Sequence, residues 1–135
     1  MENDPIAKQL FLRLKLYKLE QYPAECSVLL HEIMSDSELK SGYIVINKKD
    51  CCWHTWVEKG GQVFDLGLEI AASKDPEFGS CEIERFETPP EGVEVSEDPE
   101  LVKRFSGSRR EFWKSSPKKF QDFRSKTLSK HRSSS

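Results

Sequence analysis

Gly60-Gly61 separates two runs of strand-forming residues, Cys52 to Glu58 and Val63 to Leu66. Two glycines permit positive φ at both central positions of a turn, as the favoured two-residue hairpins require. With a two-residue loop, Trp56 faces Asp65 and His54 faces Gly67. His54 and Asp65 then lie diagonally on one face, close enough for their polar ends to meet. One further residue in the loop would send one of them to the opposite face. The opposite face carries Trp53, Val57, Phe64 and Leu66, an apolar set that requires burial.

The rest of the chain supplies partners for that hairpin. Asp4-Pro5 reads as an N-cap and first helical residue, followed by apolar residues at helical spacing from Ile6 to Leu19. Ile6, Leu10, Leu14 and Tyr17 form one stripe, widened by Phe11, Leu12, Leu16 and Leu19. Tyr22-Pro23 ends this helix and opens a second, in which Cys26, Leu29, Leu30, Ile33 and Met34 share one face. Tyr43 to Ile46 reads as a strand followed by a turn at Lys48-Lys49-Asp50, and Glu82 to Phe86 alternates as a further strand. Pro89, Pro90, Gly92 and Pro99 mark an acidic, turn-rich linker. The expected class is α+β, with helices packed on a small antiparallel β-sheet.

The His54 face is mixed, with Cys52, Trp56, Val63 and Asp65 beside the histidine. Placing a His–carboxylate pair on such a face is costly unless the two groups serve each other. One service is catalytic: Asp65 would orient the imidazole and stabilise its protonated form. The nucleophile would be Cys26, in the first turn of the second helix, where unpaired N–H groups and the helix dipole favour a thiolate. The Cys26 backbone N–H and the Gln21 side chain are candidate oxyanion donors. Trp56 is the candidate wall of a substrate groove. Cys26 also fits an ordinary core position, because free cysteine is among the most buried residue types. His54 and Asp65 likewise have structural readings, as a core histidine and a turn-adjacent aspartate.

His54-Thr55-Trp56-Val57-Glu58, then Gly60-Gly61, then Val63-Phe64-Asp65-Leu66 resembles the transglutaminase-like (papain-related) superfamily of cysteine proteases. There, a His-x-Trp-Val-Glu strand and an Asp-bearing strand form a hairpin downstream of a cysteine that begins a helix. Cys26, in Tyr22-Pro23-Ala24-Glu25-Cys26, matches that cysteine. The resemblance spans roughly residues 20–68. It implies a papain/transglutaminase-like core and acyl-transfer chemistry at amide bonds through a Cys26-His54-Asp65 triad, without cofactor or metal. The expected activity is hydrolysis of a peptide or side-chain amide bond in a peptide or protein substrate.

Charge divides the chain of 135 residues in two. Residues 1–100 carry ten Lys+Arg against twenty-one Asp+Glu, whereas residues 101–135 carry eleven against two. The net charges are −11 and +9. We therefore expect a catalytic domain over 1–100 and a basic, partly helical tail over 101–135. Two short helices are expected in the tail, one after Asp98-Pro99 ending near Gly107 and one after Ser116-Pro117, with no structure beyond Lys130. Its cations interleave with Phe105, Phe112, Trp113, Phe120 and Phe123. One reading has the aromatics docking on the acidic domain. The alternative function is an inactive transglutaminase-like module that contacts nucleic acid or a protein partner through this tail.

No stretch approaches a membrane span, since Leu10 to Leu19 is broken by Arg13, Lys15 and Lys18. Met1-Glu2-Asn3-Asp4 lacks the basic and apolar start of a secretory signal, which points to an intracellular, cytoplasmic address. Cys51, Cys52, Cys81 and His54 raise a zinc reading, but they contain no Cys-x-x-Cys pair, and Cys51 and Cys52 point apart. No metal site is expected.

Overall fold

A computed structural model describes residues 4–133. They form an α+β chain that divides into two compact units, residues 1–98 and 99–135. The N-terminal unit contains α1 (Pro5–Leu16), α2 (Pro23–Ile33), β1 (Glu38–Ile46), β2 (Asp50–Lys59), β3 (Gln62–Phe64), α3 (Leu66–Lys74), α4 (Pro76–Gly79), β4 (Ile83–Phe86) and β5 (Val95–Ser96). The strand order is β3-β2-β1-β4 with antiparallel pairing, and β5 joins β2 in parallel. The sheet is thus antiparallel except for this two-residue addition from the linker. Among the described residues, no helix is long and apolar enough to cross a membrane.

The hairpin forms in the expected register. Val57 pairs with Phe64 and Lys59 with Gln62 across Gly60 (φ 57°) and Gly61 (φ 78°). The second strand, however, is shorter than the alternation suggests. It stops at Phe64, and Leu66, expected in the strand, starts α3 instead. Asp65 occupies the junction as the residue before the helix, so the pairing of Trp56 with Asp65 and His54 with Gly67 is not made.

Asp4 caps α1 by accepting from the Ile6 and Ala7 N–H groups at 3.0 and 3.1 Å. The helix stops earlier than expected. Lys18 takes a left-handed φ of 56°, and the Leu19 N–H bonds back to the Leu14 carbonyl at 3.0 Å. That six-to-one closure lets the apolar Leu19 fold under the helix end. Consequently Ala7, Leu10, Leu14 and Leu19 enter the core, while Leu16 and Tyr17 remain 73% and 59% exposed.

Helix α2 begins at Pro23 as its sequence suggests, but it is covered around nearly its whole girth rather than on one face. Ala24 to Leu30 are all buried. The helix packs against β1, β2, α1 and α3, which explains why the polar Glu25 and Ser27 are enclosed too. Among these contacts the Ser27 hydroxyl donates to the Thr55 carbonyl at 3.1 Å.

The C-terminal unit contains α5 (Pro99–Ser106), α6 (Arg109–Lys114) and α7 (Lys118–Ser133). Helix α6, capped by the Ser108 hydroxyl on the Glu111 N–H at 3.2 Å, was not signalled by proline. Helix α7 continues past Lys130, the expected limit of order, through Ser133; Ser134 and Ser135 lie outside the described residues. The aromatics of this unit pack on one another: Phe105 on Phe112, Phe112 on Trp113, Trp113 on Phe120 and Phe120 on Phe123, with centroids 5.3–6.3 Å apart. Their rings are buried and form a small core.

Candidate active site

Strand β2 has one edge fully paired with β1. On its other edge, β5 pairs with Cys51 and Cys52, and β3 with Val57 to Lys59. The intervening stretch holds His54, and here the edge is met by a helix: the Ser27–Thr55 bond fixes the first turn of α2 against it. Pairing of Gly42 with His54, and of Ile44 with both Cys52 and Arg85, puts His54, Trp56 and Arg85 on one face by strand alternation.

Asp65 approaches that face from the start of α3. The approach depends on Gly67, where an added Cβ would lie 3.1 Å from the Pro23 Cβ and 3.3 Å from its Cα. A side chain there would push α3 away from the start of α2 and carry Asp65 with it. At the junction, His54 Nε2 lies 2.8 and 3.0 Å from the two Asp65 carboxylate oxygens. The Arg85 guanidinium donates to the same carboxylate at 2.7 Å. The Asp65 side chain is 3% exposed, so it accepts two partners in an enclosed setting where charge-assisted bonds are strong. With the Nε2 proton donated to Asp65, the lone pair of neutral His54 resides on Nδ1, which makes no hydrogen bond among the described residues.

Cys26 lies one residue from Ser27 and is 0% exposed. Its thiol donates to the Leu19 carbonyl at 3.5 Å, the group brought under α1 by the helix closure. Burial pushes the thiol well above its ordinary value, and the charges of Glu25, Asp65 and Glu20 push the same way. This reverses the expectation of a helix-stabilised thiolate: desolvation outweighs the dipole, and the resting sulfur is a neutral thiol. Its backbone N–H does not point outward as an oxyanion donor, because it already donates to the Tyr22 carbonyl at 3.0 Å. Gln21, the other oxyanion candidate, is exposed in the turn between α1 and α2, with no side-chain hydrogen bond among the described residues.

Trp56 is 4% exposed and does not form the wall of an open groove. Its indole N–H donates to Glu58 at 2.8 Å, and the Arg85 guanidinium lies 5.5 Å from its ring centroid. The open space lies elsewhere, in a cleft of about 260 Å³ bounded by Asp65, Glu69, Arg85, Leu68, Phe78 and Ile83, among others. Burial, reinforced by the Asp65 charge, raises the Glu69 carboxyl. Arg85 and Glu69 therefore belong to the site, and neither was singled out by the sequence. An arginine sharing a strand face with Ile83 was the available signal.

All four cysteines are free thiols, and among the described residues no group of three or more His, Cys, Asp or Glu side chains is placed to hold a metal ion. The chain matches no family model, no curated protein and no solved structure.

Proposed function

We propose that the N-terminal unit is a transglutaminase-like cysteine hydrolase with a papain-like core, acting on a peptide or side-chain amide bond. The observation that carries this reading is the buried His54–Asp65 pair, with distances of 2.8 and 3.0 Å, placed at the part of β2 that receives the Cys26-bearing turn of α2. Asp65 holds the Nε2 side of the ring and Arg85 holds Asp65, which leaves Nδ1 to exchange the proton. Substrate entry displaces the thiol from the Leu19 carbonyl. His54 Nδ1 then removes the thiol proton as the sulfur bonds to the amide carbon. The C–N bond breaks as His54 returns that proton to the leaving nitrogen, and a thioester remains on Cys26. Water attacks the thioester with His54 again as base, the carboxylic acid departs, and the thiol regains its proton. Four free thiols suit a reducing cytoplasmic setting.

Incubating the full chain with activated esters of small peptides, followed by mass spectrometry, tests the assignment. The expected result is an acyl adduct on Cys26 that hydroxylamine releases. Cys26→Ala should abolish it, and His54→Ala should slow its formation by about 10²–10⁴-fold. Acylation confined to Cys52 or Cys81 would overturn the proposal. The complete burial of Cys26 favours a second reading, a module of the same architecture without turnover; it predicts no adduct on Cys26 with any ester.

A further inference from the structure

The C-terminal unit uses its aromatic core to hold cations in place. Arg109 lies 4.7 Å from the Phe105 centroid and 5.7 Å from that of Phe112, and it donates to the Phe105 carbonyl at 2.7 Å. Arg124 lies 4.7 Å from the Trp113 centroid. These two guanidiniums share the lining of a cleft of about 370 Å³ with Arg110, Lys114, Trp113 and Gln121. The lining contains four cations and no carboxylate. Arg110 and Lys114 are exposed, and Arg109 Nη1 is buried without a hydrogen-bond partner, a donor that an anionic oxygen at the cleft wall would satisfy.

We infer that this cleft binds the phosphodiester backbone of nucleic acid. Planar guanidiniums match phosphate oxygens in pairs, and those stacked on aromatic rings lose little freedom on binding. A nucleic-acid backbone supplies one negative charge per nucleotide, the density that four clustered cations require. The buried aromatics do not serve as platforms for bases. Trp113 is stacked on Phe120 at 25° and approached by Arg124, so its faces are engaged within the unit and bases do not stack there. The contact is with the backbone and carries no sequence preference.

The test uses the full chain and a fluorescein-labelled oligo-dT of about twelve nucleotides, followed by fluorescence anisotropy. Four phosphate contacts predict a log–log salt slope of roughly −3 for a single strand. Arg110→Glu with Lys114→Glu should weaken binding at least about tenfold and bring the slope to roughly half. Both side chains are exposed, so an unchanged thermal transition verifies folding. Lys103→Glu with Lys126→Glu makes the same charge change at exposed positions outside the cleft and should alter affinity less than about threefold. Equal losses in the two double variants would overturn the localised site. Equal binding to poly-glutamate or to phosphatidylserine vesicles would overturn the nucleic-acid assignment.

Discussion

Asp65 and Arg109 show two different ways of holding a charge. In the N-terminal unit, Asp65 is enclosed and answered on both sides, by His54 and by Arg85, so its charge is consumed within the fold. In the C-terminal unit, Arg109 lies against two rings and donates to a carbonyl, none of which cancels its positive charge, and rings also order Arg104 and Arg124. The first arrangement fixes one geometry. The second orders its cations within a segment, residues 101–135, whose net charge is +9, so that a positive field remains available to something outside.

The sharpest way to break this contrast is Asp65→Ala, which leaves the half-buried Arg85 guanidinium unpaired and removes the imidazole's partner. We expect a loss of about 3–5 kcal/mol, read by urea unfolding of the N-terminal unit. A loss below about 1 kcal/mol would show that solvent at the exposed part of Arg85 screens the pair. Arg104→Leu probes the other arrangement. Arg104 donates to Ser115 and Ser116 at 2.7 and 3.1 Å and lies over Phe112, so its removal should cost the C-terminal unit about 2 kcal/mol.

The Cys26 thiol supplies a pH test. Its folded value lies above the ordinary 9.0, so its contribution to stability is complete below that pH and declines as pH rises further. Beyond pH 9, unfolding free energy should fall by up to about 1.4 kcal/mol per pH unit from this group. Cys26→Ala should leave a shallower slope, from Cys51 and Cys52, whose thiols burial also raises, and at higher pH from Tyr43, raised by its hydrogen bond to Glu97. The smallest effect belongs to Lys118 and Asp122, 87% and 61% exposed and 3.7 Å apart: Asp122→Asn should change stability by only a few tenths of a kcal/mol.

Local rules carried the sequence reading a long way. Gly60-Gly61 set the register of the hairpin, and Asp4-Pro5 and Pro23 placed two helix starts, while Asp65 meets His54 from the start of α3 rather than from a paired strand. What local pattern could not show were the features that depend on distant neighbours. Leu16 and Tyr17 continue the apolar period of α1, yet the left-handed Lys18 turns the chain before they reach the core. Val63-Phe64-Asp65-Leu66 alternates like a strand, but its end turns into α3, which packs closely on the start of α2 at Gly67. β5 is two residues within a proline-rich linker, defined by β2 rather than by its own sequence. Arg85 entered the site by the pairing of β4 with β1, and Cys26 lost its expected thiolate to burial on every side of α2.

The spacing of the cluster along the chain sets the loops that its contacts close. His54 and Asp65 are separated by 11 residues and Asp65 and Arg85 by 20. The His54–Asp65 contact closes the shorter loop, from β2 through the hairpin to the start of α3, whereas Arg85 reaches the same carboxylate from β4, which pairs with β1. The Arg85–Asp65 bond therefore ties the edge strand β4 to the start of α3.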